Sequence, residues 1–282
     1  MKKYVFLLMA LVGMSACEKS EMSDDVKDKS VVTFAVKGDF TYEVFTRSST
    51  LDAVLMTDLW VFDFVGGECV QSIHKVSTDD DFAAPSMTLS YGSHHLYFVA
   101  SRGDNPTVDE DAKTIVWSKP KDTFWKDLAL SVDGTTSNVS VELDRVVTKL
   151  KVTITDAVQE GTATLNVTPH TWYSGINYVT GAAACAVTDQ VRSVDVPASY
   201  VGTSGMLSVG IFGFSDSDEW TTDVAVNVKN AGGTVLGSAT ISDAPLMRNR
   251  STEYQGRLFS SPGTVFSIMV GDSWLDASQL TW

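Results

Sequence analysis

The chain has 282 residues, 44% of them hydrophobic, and a formal net charge of -14 at pH 7. That apolar content is enough for two ordinary domains with proper cores and too high for a disordered chain. The acidity argues against nucleic acid and anionic lipid as partners, because either would be repelled.

Lys2 and Lys3 make a basic start, and the apolar run from Tyr4 to Met14 is too short to cross a bilayer as a stable helix. It ends in Met14-Ser15-Ala16-Cys17, which resembles a bacterial lipobox, with Met14 where Leu is more usual. Residues 1–16 therefore read as a lipoprotein signal peptide, and Cys17 as the lipidation site. Several acyl chains, at about 0.8 kcal/mol per buried CH2, make such an attachment effectively permanent. Losing residues 1–16 removes two lysines and no acid, so the remainder is more negative still. Residues 17–30 are polar, acidic and free of aromatics, and read as a flexible tether. Acidic residues directly after a lipidated cysteine resemble the surface-export signal of Bacteroides-type lipoproteins.

From Val31 onward the pattern is that of strands. Val31 to Val36 is a first strand, and Thr41 to Phe45 is a second or a continuation after Gly38. Arg47 follows, with no other Lys or Arg between Lys37 and Lys75 and with Ser48, Ser49 and Thr50 behind it. Such a stretch reads as an extended, accessible loop carrying a solvated arginine. Asp58 to Ile73 is a hairpin turning at Gly66-Gly67, and His94 to Ser101 is a buried strand. Thr123 to Leu130 reads as a short helix, since Phe124, Trp125 and Leu128 share one side. Val139 to Asp144 closes the first half.

The second half opens on the cleanest alternation in the chain. Leu150, Val152 and Ile154 face one way, while Lys149, Lys151, Thr153 and Thr155 face the other, one side dry and one wet. Leu207 to Phe214 and a strand pair around Gly232-Gly233 follow, then Ser251 to Phe259 and Phe266 to Val270. Without long helices between the strands, a doubly wound parallel sheet is excluded, and the fold class is all-β. The expected architecture is two tandem β-sandwich domains, 31–145 and 146–282.

No catalytic residue, metal ligand set or cofactor site stands out. Neither an HExxH, a GxSxG nor a CxxC motif occurs. His94 and His95 are neighbours on a strand, so they point to opposite faces and cannot clamp one metal. The acidic clusters at Asp79–Asp81, Asp109–Asp111 and Ser215–Glu219 lack the spacing of a calcium loop. Cys69 and Cys185 read as small buried thiols. Seven tryptophans raise a sugar-binding alternative: Trp172, Tyr173 and Trp220 sit in polar surroundings where an exposed ring would stack on a glycan, whereas Trp60 reads as core.

Taken together, these features resemble the Bacteroidales fimbrillin superfamily, the subunits of type V pili. The resemblance rests on the lipobox and acidic tether, the first strand, the lone Arg47 before a Ser/Thr-rich gap, and "MTDLWVFDFVGGE". It extends to "LYFVAS", to "LDRVVTKLKVTITD" and to "RNRSTEYQGRLF" near the end. It implies transthyretin-like sandwiches, transport to the outer membrane as a lipoprotein, and a cell-surface, fimbrial location. Partners would be other pilus subunits and host or bacterial surface ligands. It also implies protease processing at Arg47 in shaft subunits, whereas anchor subunits keep the lipid and stay uncut. Loss of the first strand would leave a groove for a donor strand, and Phe266, Ile268 and Val270 alternate as an inserted strand should.

Overall fold

The structure, a computed structural model, describes residues 28–42, 46–50, 56–215, 217, 219–259 and 266–270. Cys17, the signal segment and the tether up to Lys27 lie outside them. The first half contains β1 (Lys29–Tyr42), β2 (Thr46–Thr50), β3 (Asp58–Val65), β4 (Glu68–Val76) and β5 (Ser86–Ser90). It continues with β6 (Gly92–Ser101), β7 (Asp104–Asp109), β8 (Thr114–Lys119), β9 (Thr123–Val132) and β10 (Asn138–Arg145). The second half has β11 (Val147–Ile154), β12 (Thr162–Pro169), β13 (Thr171–Asn177), β14 (Ala183–Thr188) and β15 (Arg192–Asp195). It ends with β16 (Leu207–Phe214), β17 (Glu219–Asn230), β18 (Val235–Met247), β19 (Ser251–Gly256) and β20 (Phe266–Val270). The protein is all-β, and the one helical element among the described residues is a 3-10 turn at Ala198–Tyr200.

Each half builds its own core. In the first, β1 pairs with β5 and β2 on one side and with β10 on the other, while β9, β6, β3 and β4 form the facing layer. Val32, Phe34, Leu59, Val61, Leu89, Leu96, Phe98 and Leu143 meet between the layers. In the second, the sheet β16-β11-β19-β20 packs on β15-β12-β17-β18 around Leu150, Val152, Ile154, Leu165, Val226 and Tyr254.

The apolar runs of β3 and β6 have a reason beyond the first core. Leu59 and Val61 point into it, but Trp60, Phe62 and Phe64 point the opposite way, with Tyr97 and Val99 beside them. That second face is covered by a four-stranded sheet, β14-β13-β8-β7, assembled from both halves of the chain. Ile176 of β13 pairs with Ile115 of β8. Phe62 stacks on Tyr178 at 3.8 Å between ring centroids, and Trp117 stacks on Phe214 at 5.2 Å. A strand buried on both faces reads as continuous apolar sequence, which explains "LWVFDF" and "LYFVA".

Three expectations need correction here. Residues 123–132 are a strand, not a helix: β9 pairs along its whole length with β6. Phe124, Leu128, Leu130 and Val132 face the first core, and Trp125 faces the junction, donating from Nε1 to the Tyr178 carbonyl at 2.7 Å. The period is two, and a ladder of ten residue pairs outweighs a weak local helical pattern. The polar face of β11 is not uniformly wet, because Thr153 is buried and donates to Glu253 Oε1 at 2.7 Å. Finally, β1 starts at Lys29, within the expected tether, while its course through Gly38 is the continuation, one of the two courses expected.

The β3–β4 hairpin turns at Gly66 and Gly67, whose φ values of 61° and 91° suit the two-residue turn that matches strand twist.

Candidate functional site

β1 is seated deep in the first sandwich. Val32, Phe34 and Val36 are at most 1% exposed and fill the first core, Phe34 meeting Phe98 edge-on at 5.2 Å. Backbone bonds hold it from both sides: Thr33 N donates to Ser137 O at 2.8 Å, Phe34 N to Pro85 O at 2.9 Å and Val36 N to Ala83 O at 3.1 Å. Fully burying one such side chain is worth about 1.5–3 kcal/mol, so removing β1 opens a strongly apolar groove with unpaired backbone on two flanks.

Arg47 lies in β2, not in a loop. Its backbone is opposite Thr41 of β1 in an antiparallel register, with 43–45 and 51–55 on either side outside the described residues. The reason is that β1 extends to Tyr42 and offers a template, so even the small polar run "TRSST" pairs. β2 is an end strand of its sheet.

The segment carrying Phe266, Ile268 and Val270 pairs within its own chain. β20 is the last strand of β16-β11-β19-β20, with Phe266 opposite Gly256, Ile268 opposite Tyr254 and Val270 opposite Thr252. Phe266 packs on the second core. It needs glycine across from it, since a Cβ on Gly256 would lie 2.6 Å from its ring.

The sugar-platform and buried-thiol expectations do not survive the structure. Trp172 is 1% exposed and donates from Nε1 to the Phe212 carbonyl at 2.9 Å. Trp220 is half-buried and packs on Trp172 and Tyr173 at 5.4 and 5.8 Å. Polar neighbours in sequence misled because alternate residues of β13 and β17 face inward. Cys69 and Cys185 are free and exposed, each on a strand outside the cores. Burial, then the charges of Glu110 and Asp63, push the Cys69 thiol up.

Among the described residues no group of three or more His, Cys, Asp or Glu side chains is placed to hold a metal ion. His95 is exposed beside Asp127, while His94, on the other face of β6, is buried against Asp63. Two buried polar constellations were not legible in the sequence. One is the Asp63–His94 pair. The other is Arg145, which bonds Asp122 twice and reaches Asn249 of the second half at 3.4 Å. Their partners are 31 and 23 residues apart, so only tertiary pairing brings them together.

The fold is that of an all-β protein built of sandwiched sheets. No protein-family model matches the chain, and no curated protein matches it. Solved structures do share the fold. One, described as "a putative adhesin" from Bacteroides ovatus, has a TM-score of 0.52 and 13% identity over 82% of this chain and 88% of its own. A second, "a putative adhesin" from Bacteroides thetaiotaomicron, has a TM-score of 0.51 and 10% identity over 87% and 97%. A third, from the same species and described as "putative polysaccharide binding proteins", has a TM-score of 0.51 and 12% identity over 86% and 95%.

Proposed function

We propose that the chain is a non-catalytic structural subunit of a cell-surface fimbria, of the fimbrillin type, exported as a lipoprotein through Cys17 and serving adhesion. The observation that carries the reading is the fold, shared over more than four-fifths of the chain with proteins described as adhesins. The lipobox, the acidic tether and the family pattern around Arg47 supply the location, the outer membrane and cell surface. In this reading the two units divide between residues 145 and 146, in the short link between β10, which ends at Arg145, and β11, which begins at Val147.

Assembly proceeds by strand exchange in this reading. β1 precedes Arg47 and helps fill the first core, so a cut after Arg47 frees a strand whose loss opens a groove. The groove is then filled by an alternating strand of another subunit, with Phe266, Ile268 and Val270 as the donor face. Because β20 occupies its own sheet edge and β2 is paired, both must peel away first. A subunit in which they stay put keeps its lipid and acts as an anchor.

The test is the N-terminal sequence and oligomeric state of the protein taken from the outer surface of its own cell. A lipidated start at Cys17, or a start at Ser48 with polymer ladders, supports the proposal. A monomer confined to the periplasm overturns it. The glycan-binding alternative keeps one supporting observation, the description of the third structure; glycan-dependent retardation in native gels would favour it.

A further inference from the structure

We propose that Asp63, His94 and Gln71 form a proton-dependent clasp that closes the outer edge of β5 and thereby holds β1 in its seat. The clasp does not depend on the assembly reading, since a chain that never polymerises would still possess it.

β5 pairs with β1 along one edge only. Tyr91 N donates to Asp28 O and Phe34 N donates to Pro85 O, which sets the alternation of the ladder. Ser86, Thr88 and Ser90 therefore turn their backbone groups away from β1, toward what would be an open edge. Two of those carbonyls are taken by side chains of the facing layer. Gln71 Nε2, on β4, lies 3.0 Å from the Thr88 carbonyl, and His94 Nε2, on β6, lies 2.9 Å from the Ser90 carbonyl. One carboxylate holds both side chains: Asp63 Oδ1 is 2.7 Å from His94 Nδ1, and Asp63 Oδ2 is 3.1 Å from Gln71 Nε2. Asp63 is 0% exposed and His94 2% exposed. Proteins usually blunt an exposed edge with charge, proline or a bulge. Here side-chain donors stand where the next strand would be.

The arrangement counts its protons. Both ring nitrogens of His94 face acceptors, a carboxyl oxygen and a carbonyl oxygen. Both contacts are hydrogen bonds only if the pair holds one proton more than a carboxylate and a neutral imidazole possess. The carboxyl of Asp63 and the ring of His94 share that proton. The surroundings offer little to replace it. β4 contributes the neutral Gln71 and the Cys69 thiol, which feels the charge of Asp63. Leu130 of β9 is opposite His94, and Lys29 of β1 is opposite Ser90. His95 turns to the other face, beside Asp127.

When the proton leaves to solvent, one contact must fail. If Nδ1 keeps its hydrogen for Asp63, Nε2 presents a lone pair to the Ser90 carbonyl and repels it. The Ser90 hydroxyl, 3.4 Å from Nε2, then becomes the donor, and the carbonyl is released. The edge of β5 opens, and β1 loses part of its support. The clasp is whole only while the pair holds that proton.

The test uses the 15N-labelled full-length protein in detergent. Long-range 15N–1H spectra should show, at about pH 5, one histidine ring with both nitrogens protonated and slowly exchanging. Ser90→Ala, at an exposed position, should shift that ring's Nε2 signal and so assign it to His94. Amide protection of residues 86–91, corrected for intrinsic exchange, should fall about tenfold between about pH 5 and about pH 9, the scale of one charge-assisted hydrogen bond. Amides of β17 and β18 should stay unchanged over the same range. His94→Gln should abolish the pH dependence, and Gln71→Ala should lower β5 protection at every pH. A ring with a single proton throughout, flat protection across β5, or an equal loss in β17 and β18 would each overturn the clasp; the spectra decide even if His94→Gln does not fold.

Discussion

Arg145 grips Asp122 with two parallel bonds, Nε to Oδ1 at 2.7 Å and Nη2 to Oδ2 at 2.9 Å, at the point where the two halves of the chain meet. Both residues are buried, and the guanidinium also covers the Phe124 ring at 4.6 Å. Burial pushes the Asp122 carboxyl above its usual range, and the attraction of Arg145 works against that push. Arg145→Met leaves a buried carboxylate unpaired and should cost about 3–5 kcal/mol in chemical denaturation. Asp122→Leu with Arg145→Met should recover much of it. A single variant that melts like the wild type would show the pair to be solvated.

Ile154 is 0% exposed on β11, a strand paired on both sides, with β16 and with β19. Ile154→Asp buries an unpaired charge and should cost more than about 4 kcal/mol, or prevent folding outright. Circular dichroism melts of the two proteins would decide this.

Tyr178 and Tyr254 have buried rings, and burial pushes both phenols up to about 12. The fold thus prefers the neutral phenol, so their contribution is whole below about pH 10 and is lost as the pH climbs toward about 12. Urea midpoints measured across that window should fall, and Tyr254→Phe should flatten the slope. At pH 7 the same variant should be neutral or slightly stabilising, because the Tyr254 hydroxyl has no partner among the described residues.

Cys17→Ala should abolish labelling by radioactive fatty acid and partition into detergent. Labelling that persists would place the lipid elsewhere and remove the lipoprotein from the proposed function.

Folded protein treated briefly with trypsin should be cut at Arg257, exposed beyond the end of β19, before it is cut at Arg47. Low urea, which frays an end strand first, should bring Arg47 forward and release residues 29–42. Mass spectrometry of the fragments reads the order directly. An initial cut at Arg47 in buffer alone would mean that β2 is open in solution.

Local sequence determined the class of this protein. Period-two alternation in β11, the Gly66-Gly67 turn and the scarcity of helical periodicity sufficed for an all-β chain, because strand pleat and hairpin turns are set by residues a few positions apart. Tertiary structure alone decided the rest. Residues 123–132 became a strand because β6 offered a ladder, and "TRSST" became one because β1 did. Trp172 is core because β13 turns it toward the second sandwich, and Cys69 is exposed because β4 lies at a sheet edge. The sheet shared between the halves and the Asp63–His94–Gln71 cluster depend on which strands lie side by side. That choice is made by long-range burial, and no window of sequence contains it.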